Sequence, residues 1–182
     1  LASSHDLYVG RPGLRGERVG NWIVHHADCL LILGDHLSPR QVGYSGVNEF
    51  SPNSIKFLID HDSIEIIKPS IQVDFPIHAN IADFCSRLAE LTSNSGLSNN
   101  ISHTSWLHNC QNLWSSSKPC RSDYIGKNNP YLFLFNLFDT LVGDEVIILG
   151  NGISVVGSFQ VANIHDSQLI YQNYGCASMG YD

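Results

Sequence analysis

The sequence predicts an α/β fold built on parallel β-sheets. Short apolar runs of strand length alternate with amphipathic helical segments, and Gly-rich turns follow the runs. Continuous apolar runs are typical of parallel strands buried on both faces. The 182 residues are 43% hydrophobic and 15% charged, which is enough apolar material for one or two compact domains and argues against disorder.

Residues 1–92 carry helix and strand signals in alternation. Apolar residues recur every three or four positions in the helical segments and are consecutive in the apolar runs, so each segment can be assigned as a helix or a strand. Pro76 suits the entrance of the last helix, because proline is tolerated in a first turn. In order, the signals are a Gly-rich stretch (10–16), a helical pattern (17–27), two buried strands (29–33 and 55–59) and a second helical pattern (77–91).

The rest of the chain divides into a linker and a second α/β segment. Residues 93–129 are rich in Ser, Asn, Lys and Gly, and they hold one helical pattern around 106–114. Pro130 then opens a strongly apolar helix. The segment 130–182 thus predicts, in order, a helix (130–142), a strand (145–149), a short helix (155–162) and a strand (168–171).

Composition excludes two classes of partner. The net charge is -7 and the ten lysines and arginines are scattered singly, so there is no basic stripe for a nucleic-acid backbone. No apolar run approaches the roughly 20 residues that span a bilayer, and the first residues lack a signal-peptide pattern. We therefore expect a cytoplasmic protein without a nucleic-acid or membrane partner.

The five cysteines predict neither disulfides nor a metal site. Their number is odd, and the chain is long enough to build a core without cross-links, so reduced thiols are expected. Cys110 and Cys120 have no close pair of Cys or His residues to complete a metal site.

The most informative local feature is the turn after the strand at 145–149. Ligands of parallel α/β sheets bind beyond the carboxyl ends of strands, and glycines there let backbone N–H groups approach a phosphate at a helix N-terminus. Gly150, Asn151, Gly152 and Ser154 suit that use, and a plain connection is the alternative. Neither the P-loop motif G-x-x-x-x-G-K-[ST] nor the dinucleotide-binding motif G-x-G-x-x-G is present. The final Gly of a nucleophile elbow is missing as well.

A second strand end carries acidic residues. Asp60 and Asp62 follow the strand at 55–59, where a carboxylate can accept a hydrogen bond from a ribose hydroxyl. A solvated helix cap is the alternative for the same residues.

Five blocks of residues occur in a telling order: 10–16, 27–34, 59–62 with Glu65 and Lys68, 150–154 and 177–181. The first three resemble the central domain of thiamine-diphosphate enzymes of the acetolactate synthase group, and the last two resemble the opening of their diphosphate-binding domain. The resemblance implies an incomplete Rossmann-like central domain at 1–92, a linker with one helix at 93–129, and an incomplete second α/β domain, which binds thiamine diphosphate, at 130–182.

The resemblance assigns cofactor contacts to the two later blocks. The turn at 151–154 would approach the diphosphate with backbone and side-chain donors. Met179 would support the bent cofactor beneath its rings. The Ala177 carbonyl would accept from the aminopyrimidine amino group. The implied residues are Asn151, Gly152, Ile153, Ser154, Ala177 and Met179. An ordinary core position is the alternative for Met179.

The chain also departs from the family pattern. Ala177 and Ser178 stand where Gly-Thr is usual, and a Gln-His pair is replaced at 153–154, which favours a divergent relative with another acceptor. Flavin-using members carry Gly-x-Arg after the first of these strands, whereas this chain has Gly34-Asp35-His36, which argues against bound FAD. A nucleotide in that region would be sought at Gly34, Asp60 and Asp62.

The resemblance implies a parent enzyme that cleaves a 2-keto acid such as pyruvate and passes the acyl group to a carbonyl acceptor. Thiamine diphosphate and Mg2+ would serve it, in a homodimer or homotetramer. The family's activating Glu and its Gly-Asp-Gly…Asn magnesium motif are not found in this sequence. We therefore expect an inactive internal fragment without catalytic or metal-binding residues. The alternatives are a non-catalytic FAD- or ADP-type nucleotide-binding module and a degenerate, structural subunit.

Overall fold

The computed structural model describes residues 2–43, 49–69, 71–94, 103–126, 128–141, 143–173 and 176–182. Residues 95–102 of the predicted linker, Val142 at a predicted helix end and Gly175 lie outside these ranges. The chain forms two compact units. The three-stranded unit is Asn21–Asn109, and the two-stranded unit combines Leu1–Gly20 with Cys110–Asp182.

The three-stranded unit contains a parallel sheet in the order β1-β2-β3. The register pairs Leu31 with Phe57 and Phe57 with Phe75. Parallel pairing of the two apolar runs confirms the predicted α/β class. The elements that lie in this unit, wholly or in part, are α1 (Arg18–His26), β1 (Cys29–Leu33), α2 (Pro39–Val42), β2 (Ile55–Asp60), α3 (Ser63–Ile67), β3 (Phe75–His78), α4 (Ile81–Asn94) and the start of α5 (Thr104–Ser117).

One face of this sheet carries the core of the unit. Leu58 in the middle strand is 1% exposed and packs with Ile32 of β1 and with two buried residues from the loops, Leu37 and Ile71. The middle strand is thus deeply buried, as predicted. The prediction that β1 is also buried is wrong, because Leu31 and Leu33 are exposed and only Ile32 of that strand is buried.

Pro76 lies in a strand rather than at a helix entrance. The helix that the sequence places from Ile77 begins at Ile81, and Phe75–His78 is β3. That part of the prediction is wrong because β3 pairs only with β2 within the described residues, and a strand at a sheet edge tolerates a proline. The true entrance of α4 is marked by Asn80, whose Oδ1 accepts from the Ala82 N–H at 2.8 Å.

The two-stranded unit contains a parallel β-α-β arrangement. Strand β4 (Val146–Leu149) is followed by helix α7 (Ile153–Val161) and by strand β5 (Leu169–Gln172), and β4 and β5 pair in parallel. Helix α6 (Pro130–Thr140) precedes them, and a short 3-10 helix covers Arg121–Tyr124. All four elements predicted after residue 130 are therefore present.

Helices α6 and α7 enclose the core of this unit. Leu134 and Phe138 of α6 pack with Ala162, which ends α7. A Cβ on Gly157 of α7 would lie 2.6 Å from a Leu134 methyl group, so the glycine allows the two helices to approach closely.

The Gly-rich stretch at 10–16 folds back onto the start of α1. A Cβ on Gly16 would overlap the Arg11 carbonyl oxygen, and one on Gly20 would lie 2.5 Å from the same atom. The Glu17 N–H donates to the Arg11 carbonyl at 2.8 Å, and the Arg11 N–H donates to Glu17 Oε2 at 2.5 Å. The glycines are thus required by close packing between backbone segments.

Candidate functional site

The turn between β4 and α7 lies at the carboxyl end of a parallel sheet, where α/β proteins bind ligands. Gly152 has a φ of 85°, which favours glycine, and a Cβ there would meet no atom within 4 Å. Among the described residues, no side chain caps the start of α7 at Gly152, and its first turn holds no acidic residue. The first turn therefore presents backbone N–H groups suited to an anion.

The polar side chains of the turn bond to main-chain carbonyls. Ser154 Oγ donates to the Gly150 carbonyl at 3.0 Å and to the Asn151 carbonyl at 3.2 Å. Asn151 Nδ2 donates to the carbonyls of Ala177 at 2.9 Å and Ser178 at 3.0 Å. The structure thus brings the turn and the segment 176–182 together, as the site prediction requires.

Within that segment, Ala177 has an uncommon backbone conformation and Met179 has an exposed side chain. Ala177 has a φ of 50°, a left-handed conformation that is uncommon for a residue with a Cβ. Met179 is 92% exposed, so the side chain takes no part in the core of its unit. Ile153, across the turn, is 48% exposed. Apolar side chains are therefore available to a ligand here.

Asp182 also lies beside the turn, a contact that the sequence does not predict. A Cβ on Gly150 would overlap the Asp182 carboxylate. Asp182 thus adds a negative charge beside the helix start, and nothing in the local pattern indicates this contact. The backbone N–H groups of the turn suit an anion such as a diphosphate, whereas the nearby carboxylate repels one.

The second candidate region is the carboxyl edge of the three-stranded sheet. The Gly34 N–H donates to the Ile59 carbonyl at 2.9 Å, which places Gly34 beside the end of β2. Asp60 Oδ1 accepts from the Asp62 N–H at 2.8 Å, and Asp62 Oδ1 accepts from the Ile64 N–H at 2.8 Å. Both carboxylates accept hydrogen bonds from their own loop. Asp62 is the N-cap of α3, which confirms the helix-cap alternative for that residue, whereas Asp60 is buried and caps no helix among the described residues.

An ionic cluster lies at the same edge. The Lys68 ammonium donates to Glu65, and His36 Nδ1 lies 2.7 Å from the other Glu65 oxygen. The hydrogen bonds that Glu65 accepts, first from Lys68 and then from His36, hold the pKa of its carboxyl below its usual range. The participation of His36 could not be found from sequence spacing, because 29 residues separate it from Glu65.

Two kinds of feature are missing from the part of the chain that the structure describes. No three His, Cys, Asp or Glu side chains lie close enough together to hold a metal ion. No helix there is long and apolar enough to cross a membrane.

Comparisons with known proteins match the chain to one family. Residues 1–88 match the model of the thiamine pyrophosphate enzyme central domain. The acetolactate synthase isozyme 1 large subunit of Escherichia coli strain K12 is 32% identical over 91 residues, which is 50% of this chain and 16% of that protein. The acetolactate synthase large subunit of Corynebacterium glutamicum is 32% identical over 92 residues, or 50% of this chain and 14% of that protein.

A third relative extends the match along the chain. The probable acetolactate synthase large subunit of Methanococcus aeolicus is 26% identical over 125 residues, which is 65% of this chain and 20% of that protein. The chain thus spans a fifth or less of the length of these relatives. Residues 1–88 thus match the central domain of the thiamine pyrophosphate enzymes, and the resemblance of the chain to the acetolactate synthase group is confirmed.

Proposed function

We propose that this chain is part of a thiamine-diphosphate-dependent carboligase or decarboxylase that acts on a 2-keto acid such as pyruvate. The match of residues 1–88 to the central domain of such enzymes carries the proposal. The relatives named above are acetolactate synthase large subunits, which supports a carbonyl compound as the acceptor. Because the chain spans a small part of these relatives, the proposed activity is that of the whole protein.

The turn between β4 and α7 is the proposed contact with the cofactor. Support comes from the helix start that no described side chain caps, from the open space at Gly152 and from the exposure of Met179. The proposed cofactor-binding residues are Asn151, Gly152, Ile153, Ser154, Ala177 and Met179. Bound thiamine diphosphate supplies the carbanion chemistry that cleavage and formation of carbon–carbon bonds require.

Mg2+ is part of the same proposal. A diphosphate at the turn would lie near the Asp182 carboxylate, and a divalent cation reduces the repulsion between two such anions. The ligands of the ion are proposed to lie outside this chain, as the family resemblance implies. FAD is not included, because the chain has Gly34-Asp35-His36 and because Asp60 and Asp62 bond to their own loop.

The domain boundaries and the assembly state are further parts of the proposal. Residues 1–92 are assigned to the central domain, 93–129 to the linker and 130–182 to the diphosphate-binding domain. A homodimer or homotetramer in the cytoplasm is proposed from the family resemblance.

The experiment is a binding and turnover assay on the full-length protein that contains this chain. We expect thiamine diphosphate to bind in a Mg2+-dependent manner, and pyruvate to be consumed with release of CO2. Lack of binding at saturating Mg2+ would contradict the proposal. Binding of ADP or FAD without binding of thiamine diphosphate would instead support a non-catalytic nucleotide-binding module.

A further inference from the structure

We propose that Asn151 is a positioning residue that fixes the Ala177 carbonyl, and that its side chain is not a ligand of the diphosphate. The inference rests on the proposed function, because it concerns the same cofactor site. Asn151 Nδ2 donates to the Ala177 carbonyl at 2.9 Å and to the Ser178 carbonyl at 3.0 Å. Both partners are acceptors, so the side-chain atom that faces them must be the amide nitrogen.

These two hydrogen bonds commit the donors of the Asn151 side chain. An asparagine amide has two N–H donors, and its other polar atom, Oδ1, can only accept. A diphosphate offers only hydrogen-bond acceptors, so Oδ1 cannot form a hydrogen bond with it. The side chain of Ser154 is occupied as well, since Oγ contacts the carbonyls of Gly150 and Asn151. Recognition of the anion then falls to the backbone N–H groups at the start of α7.

Asn151 also holds an unusual backbone conformation in place. Ala177 has a φ of 50°, which L-residues with a Cβ rarely adopt. The two accepted hydrogen bonds tie this strained position and the next carbonyl to a turn that lies 26 residues earlier in the chain. The side chain of Asn151 therefore determines where the Ala177 carbonyl lies relative to the first turn of α7.

The two possible roles of Asn151 predict different effects at the two ends of the cofactor. If Asn151 sets the Ala177 carbonyl, its loss should impair recognition of the pyrimidine amino group and spare the diphosphate. If Asn151 instead binds the diphosphate, its loss should weaken every ligand that carries that group. Ligands that differ only at one end distinguish these outcomes.

The test compares Asn151→Ala with the wild-type full-length protein. Alanine removes the donors without adding charge. The probes, all with Mg2+, are thiamine diphosphate, its analogue with an oxo group in place of the pyrimidine amino group, and inorganic pyrophosphate. The matched control is Asn163→Ala, an exposed asparagine in the same unit. Dissociation constants are measured by calorimetry, and circular dichroism verifies that each variant is folded.

We expect Asn151→Ala to raise the Kd of thiamine diphosphate by about tenfold, the factor for one lost hydrogen bond at a partly enclosed site. The preference for thiamine diphosphate over the oxo analogue should fall by a similar factor. The Kd of pyrophosphate should change by less than about twofold, as should all three constants in Asn163→Ala.

An equal loss of affinity for pyrophosphate would overturn the inference and make Asn151 a diphosphate ligand. An undiminished preference over the oxo analogue would overturn it as well. If Asn151→Ala does not fold, Asn151→Leu keeps the side-chain volume and gives the same comparison. If the wild-type protein binds pyrophosphate but not thiamine diphosphate, the proposed function fails, which is a different result from either of these.

Discussion

The guanidinium of Arg11 donates from Nη1 to the carbonyl oxygen of Phe159 at 2.6 Å. Its Nη2 donates to the Ala162 carbonyl at 3.1 Å and to Ser3 Oγ at 3.2 Å. Phe159 and Ala162 lie at the end of α7, where helix carbonyls have no partner within the helix. Arg11 therefore caps α7 at the end opposite to the candidate cofactor turn, with a positive charge that suits a helix C-terminus.

Replacing Arg11 by alanine should lower the free energy of unfolding by about 2–4 kcal/mol. The change removes three charge-assisted hydrogen bonds and the ion pair with the buried Glu17 carboxylate. The measurement is denaturant unfolding followed by circular dichroism. Arg87→Ala is the control, because Arg87 is 70% exposed and pairs with Glu90, and its effect should stay below about 0.5 kcal/mol. Equal effects of the two changes would contradict the capping role.

Glu17 should make stability depend on pH in an unusual direction. Burial raises the pKa of the Glu17 carboxyl above its ordinary 4.5, although Arg11 lowers it in part. Between the ordinary and the raised pKa the folded protein retains a proton that the unfolded chain has lost, so the free energy of unfolding falls as pH rises through this interval.

Glu17→Gln should remove this loss. Unfolding measured across acidic and neutral pH should show the wild type losing stability relative to the variant as pH rises from about 4.5. A gain by the wild type over the same interval would show that the ion pair with Arg11 outweighs the burial of the carboxylate.

Gly20→Ala should destabilise the protein although alanine is the better helix former. A Cβ at this position would lie 2.5 Å from the Arg11 carbonyl group, so the backbone would have to move, at about 1–3 kcal/mol. The gain in helix propensity offsets only about 1 kcal/mol of this. Gly126→Ala is the matched control, because a Cβ there meets nothing within 4 Å. A midpoint of thermal unfolding that does not fall in Gly20→Ala would exclude the close packing.

Secondary structure was predictable where the signal is local. The strand Cys29–Leu33 follows from five consecutive apolar residues that end at Gly34, and the helix at Pro130 follows from its proline and its apolar face. Pro76 could not be placed by the same reasoning. Whether a proline fits a strand depends on which strands flank it in the sheet, and a local pattern does not contain that information.

The turn that forms the candidate site could be located from the sequence, but its hydrogen bonds could not. A Gly-rich turn after a strand indicates a ligand edge from sequence alone. The partner of the Asn151 amide lies 26 residues further along the chain, and the partner of the Arg11 guanidinium lies 148 residues further. Only the folded chain determines such pairs, so neither hydrogen bond could be predicted from the local pattern.

Ser51→Ala should lower the free energy of unfolding by about 1–2 kcal/mol. Ser51 is 1% exposed, and its Oγ donates to the Val24 carbonyl at 2.6 Å, near the end of α1. The substitution leaves that helix carbonyl without its partner. Ser116→Ala is the control, because the Ser116 hydroxyl is exposed and donates to the Leu113 carbonyl of its own helix. Similar unfolding midpoints for the two variants would refute a capping role for Ser51.

Met179→Ala should separate cofactor binding from stability. The side chain is 92% exposed, so its truncation should change the free energy of unfolding by less than about 0.5 kcal/mol. Burial of an apolar side chain against a bound cofactor contributes about 1.5–3 kcal/mol, so the Kd of thiamine diphosphate should rise by about tenfold or more in the full-length protein. Ile125→Ala is the matched control, because Ile125 is 81% exposed in the same unit and lies outside the candidate site. A lower unfolding midpoint with unchanged affinity would assign Met179 a purely structural role, and an equal loss of affinity in both variants would remove it from the proposed cofactor site.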